Sequence, residues 1–330
     1  MEKKIDIFKA VAVIAVILIH FVSAYLLIFE KWGSLNWQLN LVIDQVSRFS
    51  VPLFVALSGY GLARKYLSAP LNLKDYYLRR VTKLLPWYFF WATVLLIVVP
   101  HGSYVLWKQY VFGRADYHLY FVPMIFQFYV LFPPVLFLVR KFNLKIVVLA
   151  ALWQIAFYLI IGAKTENLAN ANRLWTDQQQ YLLSITWIFY FILGIYWANA
   201  KKLSAKILIF IILIGLIWSI TNSYSTINGG IHLITATRFT RLPVLLYSTG
   251  IIGLVIFYGG KISSGLFSYL GKISYVTYLG HTLVLRFLFD ALGLQKLLPE
   301  PFVAFIAIVA SFFTAAVLSK CYNLFHEFRD

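Results

Sequence analysis

The chain has 330 residues, 61% of them hydrophobic and 12% charged, with a formal net charge of +17. A soluble domain is nearer half apolar and a quarter charged, so this composition excludes an ordinary water-soluble globule and makes lipid the expected solvent. The apolar runs are long and continuous rather than alternating, which selects helices over a β-barrel.

In chain order, Lys3-Lys4 precede an apolar run reaching Phe29. It resembles a signal peptide but is too long and lacks a small-residue cleavage pattern, so it reads as a retained first helix. Further spans are expected at about 40–63, 84–100, 118–139, 145–163, 181–199, 206–222, 242–260, 274–292 and 302–325, the first covering 7–29. The fold class is therefore all-α: a polytopic membrane bundle of about ten transmembrane helices. It forms one domain, 1–330, with both termini in the cytoplasm of a cell-membrane protein. Charge supports this arrangement, because the inner segments collect 17 of the 29 Lys and Arg and the outer ones eight. The basic residues lie between spans rather than along a polar face, so no nucleic-acid partner is expected. The longest inner connector runs from Arg64 to Lys83, and Pro133-Pro134 should kink or end the fourth span. A single cysteine, Cys321, offers neither a disulfide nor a paired metal site, and no metal is expected.

Polar side chains within spans carry the functional signal. His20 lies deep in the first helix, where an imidazole suits either a general base or a structural hydrogen bond. Lys9 precedes it by eleven positions, on nearly the same face and about 16 Å away, with Asp6 one turn back as an interfacial partner. Arg48 is too deep to snorkel, and Asp44 is its expected partner. Arg48 is either half of a structural pair or a fixed cation that orients an anionic group or stabilises a developing oxyanion. Ser58 is a weak nucleophile candidate, since no nucleophile-elbow context surrounds it. His118 is expected at the outer interface, with Gln127 about 13 Å further down, so that His20, Arg48 and Gln127 share one layer. Tyr278 and His281, at i and i+3 on the ninth span, are placed nearer the inside and read equally well as a polar helix contact or a site. Arg79-Arg80-Val81-Thr82-Lys83 is explained by topology, or more sharply by phosphate binding.

Lys9-x10-His20 resembles the basic-x10-His signature of the acyltransferase 3 family of membrane O-acyltransferases. Matching segments follow in the family's order: Arg48-Phe49-Ser50-Val51-Pro52-Leu53-Phe54 to Ser58-Gly59-Tyr60, and Arg80-x-x-Lys83 before Pro86-Trp87-Tyr88. Later ones are His118-Leu119-Tyr120-Phe121-Val122-Pro123, Tyr190-Phe191-Ile192-Leu193-Gly194 and Ser274-Tyr275-Val276-Thr277-Tyr278-Leu279-Gly280-His281. Lysines at 9 and 83 replace the family's usual arginines, keeping charge but not the bidentate fork. The resemblance implies transfer of a short acyl group, often acetyl, from cytoplasmic acyl-CoA (acetyl-CoA) to an extracytoplasmic saccharide. It implies His20 as the catalytic base or acyl relay, Arg48 shaping the site, and Lys9, Arg80 and Lys83 facing the CoA phosphates. His118, Gln127, Tyr278 and His281 are the candidates for holding substrate. Expected partners are the bilayer, the saccharide acceptor and envelope-polysaccharide assembly proteins.

Two other readings fit a many-helix chain with intramembrane charges. One is a polysaccharide or glycolipid exporter. The other is a scaffold for an envelope synthase, which predicts that His20 tolerates leucine.

Overall fold

A computed structural model describes residues 2–24, 26, 31–67, 69–99, 105–166 and 181–327. The far end of the first expected span, the connector at His101-Gly102-Ser103 and the stretch 167–180 lie outside these residues. Among the described residues every regular element is helical. The main helices are α1 (Glu2–Ala24), α2 (Leu35–Ser47), α3 (Ser50–Tyr66), α4 (Leu73–Val98), α5 (Phe121–Phe142) and α6 (Leu144–Glu166). They continue as α7 (Ile188–Trp197), α8 (Ala205–Asn228), α9 (Leu242–Tyr258), α10 (Gly265–Lys272), α11 (Ser274–Arg286) and α12 (Glu300–Glu327).

Among the described residues six helical segments are long and apolar enough to cross a membrane: Ile5–Ala24, Leu35–Tyr66, Leu73–Val98, Phe121–Phe142, Ala205–Asn228 and Glu300–Cys321. Leu144–Ile160, Ser184–Trp197 and Leu242–Tyr258 are shorter apolar helices. Each expected span thus coincides with a helical segment, but the elements differ in how they are built. Ser184–Trp187 is a 3-10 turn feeding α7, and α11 ends in a π-helical turn at Phe287–Ala291.

The burial pattern separates inner from outer helices. α1 and the α2–α3 pair are mostly enclosed, whereas α8 and α12 are mostly exposed. On α12, Phe302, Phe305, Val309, Phe313 and Val317 form an exposed stripe at helical spacing. In water such a stripe would be a liability; against lipid tails it is the ordinary surface. The enclosed α1 packs against α2, α3, α10, α11 and α12.

Close helix approach depends on missing side chains. A Cβ on Gly194 of α7 would lie 2.0 Å from the Ala56 carbonyl oxygen of α3, and one on Gly59 would lie 2.4 Å from the Phe191 carbonyl. The two glycines let α3 and α7 touch backbone to backbone, as small residues do in membrane bundles.

Three expectations change. α4 starts at Leu73, capped by the Asn72 side chain, which accepts from the Asp75 N–H at 3.2 Å. Arg79, Arg80 and Lys83 are therefore helical, and the long inner connector shrinks to a few residues. α5 runs through Pro133-Pro134 to Phe142, so of the two outcomes expected there, a kink or an end, the end does not occur. The second span, expected at 40–63, starts at Leu35 and breaks at Arg48-Phe49 between α2 and α3.

Candidate active site

His20 leaves α1 toward α11 and the turn preceding α5. Its ring is 5.2 Å from that of His281, stacked, and 6.4 Å from that of His118; His118 and His281 are 4.9 Å apart, edge to face. Tyr117 sets its ring 4.9 Å from His20. Three imidazoles spread over some 260 residues of sequence, His20, His118 and His281, thus share one cluster inside the bundle. Among the described residues His20 has no hydrogen bond, and it is only half-buried.

The backbone explains how His118 arrives there. Gly113 takes φ +61°, and a Cβ on it would lie 2.5 Å from the Leu119 carbonyl oxygen. This left-handed turn, which favours glycine, folds residues 114–120 back so that His118 is 1% exposed. His118 was expected at the outer interface; the turn carries it into the interior instead. His118 Nε2 lies 3.2 Å from the Leu279 carbonyl, and the Tyr278 hydroxyl donates to the His118 carbonyl. His281 was expected nearer the inside than His20. α10 packs against the first turns of α1, with Gly271 against the Asp6 backbone, so α11 starts within the bundle and reaches the level of His20.

His281 Nδ1 is 2.6 Å from the Tyr278 carbonyl oxygen. A carbonyl can only accept, so Nδ1 carries the proton and Nε2 of the neutral ring presents a lone pair. Nε2 is buried without a hydrogen-bond partner among the described residues. A buried acceptor of this kind is a place where a donor from outside the protein is needed.

An acidic residue that the sequence reading passed over anchors the cluster. Asp116 is 6% exposed; its Oδ2 accepts from the Thr282 hydroxyl at 2.8 Å and faces His118 Nδ1 at 3.5 Å, while its Oδ1 accepts from Arg286 at 3.1 Å. Burial alone would raise this carboxyl, but the bonds to His118 and Thr282 and the Arg286 charge hold it well below the usual carboxylate range. A signal was available: Arg286 is an intramembrane arginine needing an acid, and Asp116 stands two residues before His118.

Arg48 caps α2 at the break before α3. It pairs with Asp44 through two bonds, at 3.0 and 2.6 Å, reaches Thr237 at 3.4 Å and lies over the Phe239 ring. The pair expected from the sequence is present. Gln127 is used differently: its amide donates to the Leu182 carbonyl at 2.9 Å and accepts from the Ser184 N–H at 3.0 Å, clasping the turn before α7. The structure does not join it to the histidines. Ser58 donates to the Phe54 carbonyl within its own helix.

The basic residues gather at one end. Lys9 is bonded to Asp6 at 2.9 Å and is 39% exposed. Asp6 meets Gly271, three residues before α11, and Tyr275 of α11 donates to the Leu84 carbonyl at 3.0 Å. Lys83, exposed beside Leu84, and Arg80, one turn earlier, therefore lie at the Lys9 end of the bundle. Arg80 rests against the Tyr76 and Tyr129 rings. From this end α1, α4 and α11 all lead inward, α4 meeting Gly280 through Trp91 beside His281. No group of three or more metal-binding acidic, His or Cys side chains occurs among the described residues.

The acyltransferase 3 family, described as an acyltransferase domain, matches residues 2–320. No curated protein and no solved structure matches the chain.

Proposed function

The chain belongs to the acyltransferase 3 family, and from that membership we propose a membrane enzyme that moves a short acyl group, acetyl in the simplest case, from cytoplasmic acyl-CoA to a saccharide hydroxyl on the opposite side. The observation that carries this reading is the imidazole cluster of His20, His118 and His281, reached along helices whose other end bears Lys9, Arg80 and Lys83. CoA carries phosphates that cannot cross lipid, so a basic end is where it would be held. The ten helical segments then all cross or line the bilayer, with the Lys9 end cytoplasmic.

His20 takes the proton of the acceptor hydroxyl as the oxygen attacks the thioester carbonyl. The carbon–sulfur bond breaks and CoA leaves as its thiolate, which takes a proton in turn. His281 Nε2 receives a hydrogen bond from the acceptor and orients it. Arg48, held by Asp44, gives the site a fixed positive field that favours the developing oxyanion. Enclosure of the cluster keeps bulk water from the thioester. An exporter has no use for a basic end linked to buried imidazoles, and the family match adds nothing to that reading.

The test is release of CoA thiol from acetyl-CoA by the protein in lipid vesicles, with and without envelope glycans. Glycan-dependent release supports the proposal. Glycan movement without thiol release from any short acyl-CoA would replace it with export.

A further inference from the structure

A second polar site lies away from the histidines, at the end of the bundle opposite Lys9. There Leu26, just past α1, packs with Trp37 and Leu41 against Ile227 and Leu233. Beside that contact is a cavity of about 360 Å³ lined by Asn222, Thr235, Arg238, Thr240 and Arg241, with Trp218 at its margin. Arg238 and Arg241 are 6% and 8% exposed.

Arg241 is caged by neutral acceptors. It donates to Gln45 Oε1 at 3.2 Å, to Ser223 Oγ and the Ala236 carbonyl at 2.5 Å, to the Ser219 carbonyl at 3.4 Å, and to Asn222 Oδ1. These bonds satisfy its N–H groups without cancelling its charge. The carboxylate nearest in the network is Asp44, reached through Gln45, whose amide donates to Asp44 at 2.8 Å. Asp44 is already paired with Arg48 through both oxygens. Among the described residues this enclosed network therefore holds two guanidiniums, Arg48 and Arg241, for one carboxylate, and a buried positive charge in weakly polarisable surroundings calls for an anion. Thr240 is fully buried on the cavity wall, and its hydroxyl has no hydrogen-bond partner among the described residues.

We infer that this cavity binds a phosphate group of net negative charge, presented at the membrane boundary by an anionic lipid headgroup or by a free phosphate, and not one neutralised by an attached cation. A guanidinium fork matches phosphate oxygens: Arg238 on the cavity wall supplies it, Arg241 adds its charge from within its cage of acceptors, and the Thr240 hydroxyl is a further donor. Trp218 and Leu159 are exposed at the cavity margin, where an acyl chain attached to the phosphate would lie. The inference needs only that the chain is embedded in lipid, not that it transfers acyl groups.

The test is native mass spectrometry of the full chain in detergent, titrated separately with dioctanoyl phosphatidylglycerol, dioctanoyl phosphatidylcholine and inorganic phosphate. Phosphatidylglycerol should bind about tenfold more tightly than phosphatidylcholine, and Arg238→Gln should reduce that binding about tenfold. Lys202→Gln, which removes one charge at the other end, should leave it unchanged. Thr240→Val keeps the arginines and the side-chain shape and should still weaken binding, which keeps the test decisive if Arg238→Gln folds poorly. Displacement of the lipid by inorganic phosphate would identify the free ion as a ligand; its failure to displace, with lipid binding still sensitive to the variants, would identify the headgroup. Equal binding of the two lipids, or phosphatidylglycerol binding indifferent to both variants, would overturn the inference.

Discussion

At His281 one helical hydrogen bond decides what the ring can do. Because Nδ1 donates to the Tyr278 carbonyl, only Nε2 remains to meet a substrate, and it can only accept. His118 differs, because both of its ring nitrogens face acceptors, Nε2 the Leu279 carbonyl and Nδ1 the Asp116 carboxylate. Asp116→Asn removes the charge that Arg286 and His118 face, and should lower turnover about 10- to 100-fold with little change in KM for acyl-CoA. Steady-state kinetics with both substrates checks this, and an unchanged kcat would remove Asp116 from the site. The sign of its pH response is fixed: a carboxyl held low contributes its full stability above the usual carboxylate range and loses it only as pH falls below that range. Activity lost between pH 5 and 7 in the wild type therefore does not come from Asp116. Arg48→Gln leaves Asp44 buried without its partner and should destabilise the protein by about 3–5 kcal/mol. Adding Asp44→Asn should recover part of that loss, as thermal unfolding in detergent would register.

At the scale of elements, the α3–α7 crossing sets how far the bundle can close. Gly194→Ala places a methyl against the Ala56 carbonyl and should cost about 1–3 kcal/mol, whereas Gly61→Ala, with nothing within 4 Å of its Cβ, should be near neutral. Equal melting temperatures for the two variants would contradict the close approach. The same contrast explains what was legible in the sequence. The helical segments could be read because lipid demands long apolar runs, and His20 and Arg48 stood out because such runs punish polar side chains. The Arg48–Asp44 pair was readable because its spacing is one helical turn. The depth of His118 was not, because a left-handed turn at Gly113 decides whether that loop faces water or the interior, and Asp116 was passed over although Arg286 called for an acid. The depth of His281 was misplaced because the start of α11 depends on α10 docking against α1, a contact with no local signal. Gln127 misled for a related reason: a polar residue in a span needs partners, and the 182–184 backbone supplies them as well as a substrate would.

For the whole molecule, the enclosed α1 runs through a shell of helices whose outer faces are apolar, joining a basic end to the imidazole cluster, in which His118 and His281 are buried and His20 half-buried. Under the proposed reaction the donor and acceptor would reach this site from opposite sides, which requires the Lys9 end to be cytoplasmic. In a Cys321→Ser background, Lys202→Cys should react with an impermeant maleimide only in inside-out vesicles, and Gly229→Cys only in right-side-out ones. Labelling with the reverse sidedness would invert the donor and acceptor sides.

The measurement closest to the central claim is transfer of radiolabelled acetyl from acetyl-CoA to glycan by His20→Ala in lipid vesicles, beside the wild type at matched insertion and melting temperature. Loss of a general base of this kind should reduce transfer by about 10²- to 10⁴-fold, with acetyl-CoA binding retained. Transfer at the wild-type rate by a folded His20→Ala protein would show that the imidazole cluster is not where the acyl group moves.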